Sequence, residues 1–136
     1  MAAARCNTRY LPQAKFPDAL IVVDRLEDTV ASVNDILIAV PSHALRGVLI
    51  ELAPLLSSSA RLAWATKGFE LDTGLLPHQV AKEILGTDRP FAVLSGPTFA
   101  QEVGQGLPTA MTIASADEAF AQSLAQSLSA DNFRAY

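Results

Sequence analysis

The sequence predicts an α/β fold, an open and mostly parallel sheet with helices on both faces, and three observations carry that expectation. From Asp35 onward, short and nearly continuous apolar runs alternate with stretches in which apolar residues recur at helical spacing; this is the alternation of strand and helix. The run "ILIAV" (Ile36–Val40) is apolar at every position, as a strand covered by helices on each side must be. The third is that this alternation repeats from Asp35 to the last helical stripe, which predicts an open, mostly parallel sheet.

Each element follows from its own residues. After Ile36–Val40, Ser42 is placed to cap a helix whose stripe is Leu45, Val48, Leu49 and Leu52, with Pro54 beyond its end. The second strand is "RLAWAT" (Arg61–Thr66). A second amphipathic helix carries Leu76, Val80, Ala81, Ile84 and Leu85 and closes at Gly86. "FAVL" (Phe91–Leu94) is the third strand, and Pro97 suits the first turn of a short helix running to about Val103. "TAMTIA" (Thr109–Ala114) is a fourth strand. Ser115 with Glu118 has the pattern of a capping box, ahead of Phe120, Leu124 and Leu128 at four-residue spacing. Upstream, "ALIVV" (Ala19–Val23) reads as a further strand and Glu27–Val33 as a short helix, while "TRYLPQAKFPD" with its two prolines reads as loop.

Composition excludes several classes. With 136 residues, half of them hydrophobic, the chain can bury one core but not two. Net charge is −4 and the basic residues are scattered, so no basic stripe exists to track a nucleic acid. One cysteine, Cys6, excludes an internal disulfide and offers no metal-ligand spacing, which fits a cytoplasmic protein. No apolar run approaches the ~20 residues that span a bilayer, and "MAAARCNTRY" has no apolar core of an export signal.

In an open α/β sheet, ligands bind at the carboxyl ends of strands. Three turns fall at such ends: "VPSH" after the first predicted strand, Lys67-Gly68 after the second, and "SGPT" after the third. A lysine supplies a mobile cation, and a helix opening after Gly96 would supply free N–H groups and a positive dipole end. Together they describe a site for a small anionic, phosphorylated molecule. Taken singly, each has a plainer reading. Lys67 reads equally as a solvated loop lysine and Gly96-Pro97 as loop punctuation. His43 reads as a first-turn surface residue, His78 as structural and Trp64 as core, and Cys6 lies in a loop without a partner. Ser95 stands outside any G-x-S-x-G elbow, so hydrolase chemistry has no support.

The segments "VPSH", "WATKG", "SGPTFAQE" and "GLPTA", in this order and spacing, resemble bacterial NAD(P)-dependent glycerol-3-phosphate dehydrogenase. "RCNTRYLPQAKFPDAL" is similar to that family's loop after its second sheet strand, so the resemblance extends over essentially the whole chain. It implies a Rossmann-like sheet, NAD or NADP as cofactor, and interconversion of dihydroxyacetone phosphate and sn-glycerol 3-phosphate in the supply of phospholipid precursors. It also implies roles. Lys67 matches the lysine that contacts both substrate and nicotinamide, Gly96 and Thr98 match positions that bind glycerol 3-phosphate, and Ala100 and Pro41 match positions against the cofactor.

Two departures stand beside the resemblance. The family opens with a strand, a G-x-G-x-x-G-type turn and a helix that hold the pyrophosphate, and residues 1–136 contain no match to them. The family's proton-transferring lysine sits in a "GAxKN"-like motif of a helical domain, and Lys15, Lys67 and Lys82 all lie outside such a motif. The expectation is therefore a partial N-terminal NAD(P)-binding domain over residues 1–136, inactive alone, with its first strands missing. A strand Ile36–Val40 left as an open apolar edge would then favour self-association. The alternative is a non-catalytic anion-binding α/β module.

Overall fold

The computed structural model describes every residue, Met1–Tyr136. The chain starts with a small antiparallel hairpin, β1 (Cys6–Asn7) and β2 (Leu11–Lys15), followed by a short helix α1 (Leu26–Val30). Five strands then form one sheet in the order β3 (Asp35–Ile38), β4 (Arg61–Trp64), β5 (Phe91–Ser95), β6 (Thr109–Ser115) and β7 (Phe133–Ala135). The connecting helices are α2 (Ser42–Leu52), α3 (Pro77–Leu85), α4 (Ala100–Gly104) and α5 (Glu118–Leu128).

β3, β4 and β5 run parallel, β5 and β6 antiparallel, and β6 and β7 parallel. The mostly parallel sheet is as predicted; the reversal at β6 has a local cause. α4 has five residues, about 7.5 Å of helix, too short to carry the chain back along a strand. The chain therefore returns from the rim where β5 ended. The reversal also decides which face each helix covers. Parallel crossovers are right-handed, so reversing strand direction while moving the same way across the sheet sends the crossover helix to the opposite face.

The two halves of the core follow that split. On one face, Leu45, Leu49 and Leu52 of α2 and Val80 and Ala81 of α3 pack over Ile38, Leu62 and Trp64. On the other, Phe120 and Leu124 of α5 pack over Ala63, Ala92, Leu94, Met111 and Ile113. Leu62, Ala63 and Trp64 are successive residues of β4 and feed opposite faces, which is why the run "LAW" is apolar without alternation. Trp64, Leu49 and Phe120 are fully buried, each contributing on the order of 1.5–3 kcal/mol or more by apolar burial.

Several local expectations are corrected. Ser42 is the first residue of α2 rather than its cap; Pro41 holds the cap position and no side chain caps the helix. Pro54 does lie beyond the end of α2, as expected, in a 3₁₀ turn, Ala53–Leu55, that follows it. α5 is capped by Asp117, whose carboxylate accepts from the Phe120 N–H at 2.9 Å. Ser115 serves the approach to it, accepting from Asp117 N–H at 3.1 Å and donating to Phe91 O at 2.6 Å. Ala19–Val23 is not a strand and Ile21 is 81 % exposed: the run is apolar, but no neighbouring strand offers it a ladder. "TRYLPQAKFPD" is not all loop, because it contains β2, and Cys6 is buried in β1. The hairpin packs on α4, where a Cβ on Gly104 would meet Ala14 Cβ at 3.2 Å.

Candidate functional site

β4 and β5 end at the same rim of the sheet, and the turns that follow them are brought together there. Thr66, buried, donates its hydroxyl to Val40 O at 2.7 Å, and Ala65 N–H reaches Ile38 O at 2.9 Å. These bonds fix the segment after β4 against the end of β3. Lys67 comes next and is exposed. Its ammonium lies 3.4 Å from Thr98 Oγ1 and 3.5 Å from Ala65 O. The second and third predicted turns are thus joined by one contact, across 31 residues of sequence.

The turn of "SGPT" is held from below by its own neighbour strand. A Cβ on Gly96 would stand 2.8 Å from Ala110 O and 3.2 Å from Met111 Cα, closer than side-chain carbons approach backbone, so only glycine fits. Thr98 N–H bonds Gly96 O at 2.8 Å, folding the turn so that the threonine hydroxyl faces Lys67. The contact with Ala110 also gives "GLPTA" a physical meaning: it is the start of β6, against which the turn after β5 rests. Pro41 and Ser42 lie at the start of α2. Ser42 Oγ would be 4.0 Å from a Cβ on Gly68, so the "VPSH" turn is beside the Lys67-Gly68 turn. Ala100 is exposed at the start of α4, two residues past Thr98.

One expected feature is withdrawn. No helix opens directly after Gly96: Pro97 precedes α4, which begins at Ala100 and makes little more than one turn. So short a helix sums few peptide dipoles, and the positive charge of the rim rests on Lys67. A second expectation is refined. His78, read from the sequence as structural, is half-buried on α3 beside the Lys67 cleft. His43 is a surface residue and Trp64 is core, as read from the sequence.

The cleft behind Lys67 has a volume of about 310 Å³ and is walled by Trp64, Leu76, Val93 and Leu94, with Lys67 and Ser95 at its polar side. A larger groove, about 590 Å³, lies between α3 and the start of β5. It is at the amino ends of the parallel strands, where sheets of this type do not bind ligands, so the smaller cleft is the better candidate despite its size.

A further set of residues surrounds the Lys67 loop. Arg46 on α2 donates Nε to Glu70 Oε1 at 2.7 Å and Nη2 to Glu70 Oε2 at 2.8 Å, and Nη2 also reaches Glu83 Oε2 on α3 at 2.9 Å. Thr73 Oγ1 donates to Glu70 Oε2 at 2.6 Å. The hydrogen bonds from Arg46, then that from Thr73, hold the Glu70 carboxyl down at about 2, against partial desolvation that would raise it. The fork of Arg46 matched to a carboxylate is the strongest form of such a pair.

Comparison with known proteins places this arrangement. The profile of the family described as "NAD-dependent glycerol-3-phosphate dehydrogenase N-terminus" matches residues 1–121. The chain is 50% identical over 137 aligned positions to the glycerol-3-phosphate dehydrogenase [NAD(P)+] of Edwardsiella ictaluri, covering 100% of this chain and 40% of that protein. It is 49% identical to the enzyme of the same name from Actinobacillus pleuropneumoniae, covering 100% of this chain and 41% of that one. It superposes on the crystal structure of glycerol-3-phosphate dehydrogenase from Coxiella burnetii with a TM-score of 0.93 at 40% identity, over 100% of this chain and 41% of that one. The chain thus spans about two fifths of the length of these relatives.

Proposed function

Because the chain belongs to the family of NAD-dependent glycerol-3-phosphate dehydrogenase N-termini, we propose that residues 1–136 form the dinucleotide-binding side of an enzyme that interconverts dihydroxyacetone phosphate and sn-glycerol 3-phosphate with NAD or NADP, feeding glycerophospholipid synthesis in the cytoplasm. The observation that carries this reading is the approach of the Lys67 ammonium to Thr98 Oγ1, 3.4 Å, at the carboxyl ends of β4 and β5. No helix of the chain is long and apolar enough to cross a membrane.

The residues present fit the nicotinamide end of a dinucleotide beside a small phosphorylated ligand. They offer one free ammonium and one hydroxyl at the mouth of a cleft with apolar walls. When bound, the nicotinamide supplies the hydride. What this chain adds is positive charge and shape. Lys67 offsets the anionic ligand and the negative charge that develops on a carbonyl oxygen as it becomes an alkoxide, a contact worth most where water is excluded. Thr98 orients the ligand through a hydroxyl that can donate or accept. Gly96 holds Thr98 in place by resting on β6. Pro41 and Ala100, at the starts of α2 and α4, border the rim on either side and are the proposed contacts of the cofactor.

The test is a chimaera in which this chain replaces the matching segment of the Edwardsiella ictaluri relative, assayed with dihydroxyacetone phosphate and NADH or NADPH. Turnover of the same order as the parent is the expected result, whereas the 136-residue chain alone should show none. A folded chimaera without turnover sinks the enzymatic reading, and if it still binds glycerol 3-phosphate the non-catalytic anion-binding module takes its place.

Self-association is a second part of the proposal. β3 pairs only with β4, so its outer edge has no strand partner. Leu37 on that edge is 48 % exposed; the one charge of β3, Asp35 at its first position, is ion-paired with Arg61 of β4 at 2.6 Å, and Ile36–Val40 contains no further charge or proline, the devices that ordinarily keep an edge from pairing with another chain. Sedimentation at several concentrations should show the 136-residue chain associating, and Leu37→Lys should hold it monomeric. A wild-type chain that stays monomeric at every concentration removes this part.

A further inference from the structure

We infer that Arg46 and Glu70 are positioning residues for Lys67, an ion-paired clamp that sets where its ammonium stands although neither side chain is hydrogen-bonded to it. The inference rests on the proposed role of Lys67 as the substrate-binding cation. Lys67 itself is poorly held. It is exposed, and its two side-chain contacts, 3.4 and 3.5 Å, are at the outer limit of hydrogen bonding. An ammonium on a flexible four-carbon stem with such contacts takes its place from the backbone that carries it.

That backbone is tethered on both sides. On the amino side, Thr66 is bonded to Val40 O at 2.7 Å. On the carboxyl side, only Gly68 and Phe69 separate Lys67 from Glu70, and Glu70 is anchored by Arg46 and Thr73. Beyond it the chain folds on itself, with Glu70 N–H to Leu75 O at 2.9 Å and Gly74 N–H to Glu70 O at 2.8 Å. Gly68, at φ +90, occupies a conformation that other residues rarely adopt, and it turns the chain between the two tethers. Arg46 carries the anchor into the scaffold, because it bridges the loop to Glu83 on α3 while sitting on α2. An exposed ion pair would contribute little. This one is bidentate, and the Glu70 side chain is 11% exposed.

A test by sign separates positioning from simple electrostatics. Glu70 is an anion near an anion-binding lysine, so if charge alone mattered, removing it would tighten binding of a phosphorylated ligand. If Glu70 positions Lys67, removing it weakens binding. The probes are glycerol 3-phosphate and the ¹³Cε resonance of Lys67 in selectively labelled 136-residue chain, assigned by loss of the signal in Lys67→Arg. In Glu70→Ala the ligand-free Lys67 resonance should move toward that of a mobile lysine, and glycerol 3-phosphate should bind about tenfold more weakly, the scale on which loss of an orienting partner acts. Arg46→Lys, which keeps the charge but loses the fork, should do the same in smaller degree and provides the milder variant if Glu70→Ala does not fold. A Lys67 resonance unmoved in either folded variant overturns the inference whatever the affinity does, and so does unchanged or tighter binding by Glu70→Ala. If the wild-type 136-residue chain binds no glycerol 3-phosphate, the affinity comparison moves to the chimaera, whose turnover tests the proposed function separately, and the ligand-free resonance decides the positioning.

Discussion

Lys67→Ala, made in the chimaera, is expected to lower kcat/KM for dihydroxyacetone phosphate by roughly 10²-fold or more, the scale of losing one preorganised electrostatic contact. The effect should fall on kcat as well as KM. A cation that met only the phosphate would stabilise bound substrate and transition state equally and would change KM alone. Lys67 is proposed to meet the developing alkoxide as well, beside the ligand-orienting hydroxyl of Thr98 at 3.4 Å. Lys67→Arg should restore activity only in part, since a planar guanidinium is larger and hydrated differently from an ammonium. Near-normal turnover in Lys67→Ala would return this residue to the status of a solvated loop lysine.

Gly96→Ala should act through the fold and the site together. The added methyl would lie 2.8 Å from a backbone oxygen of β6, and neither partner is a side chain that can swing away. β5 and β6 must then part locally, at a cost of about 1–3 kcal/mol typical of overpacking, and Thr98 moves with the turn. Denaturant unfolding of the 136-residue chain measures the first consequence; glycerol 3-phosphate binding measures the second. Gly47→Ala is the control. Gly47 lies inside α2 with nothing within 4 Å of an added Cβ, so there alanine should stabilise, by roughly 0.5–1 kcal/mol. If Gly96→Ala is as well tolerated as Gly47→Ala, the close contact with β6 is not what the glycine is for.

The candidate site was legible in part. Lys67, Gly96 and Thr98 stand out in the sequence because each follows an apolar run, and strand ends are where open sheets bind; the family resemblance then proposes their roles. The rim does bring Lys67 and Thr98 together. The helix expected directly after Gly96 was misread because Pro97 is compatible both with a first helical turn and with the loop before one. Arg46 and Glu70 carried no local signal at all. They lie 24 residues apart, on a helix and in a loop, and only the packing of α2 over the end of β4 makes them neighbours.

By itself the sequence determined the elements from β3 to α5 and the stripes they bury, but not the hairpin of β1 and β2 or the short strand β7. Continuous apolar runs became β3 to β6, helical stripes became the buried sides of α2, α3 and α5, and Gly86, with φ +80, closed α3 where the pattern ended. These features depend on residues a few positions apart, which is the range over which periodicity and capping act. Three things were decided only in the tertiary structure: the reversal of β6, the face that α5 covers, and the ion-paired clamp beneath the Lys67 loop. Each depends on where a chain segment can reach after the sheet has formed. A five-residue α4 cannot carry the chain back along β5, so β6 starts at the rim, right-handed crossover then places α5 opposite α2 and α3, and Gly96 comes to rest against Ala110. Those are consequences of geometry across the sheet, and no window along the chain contains them.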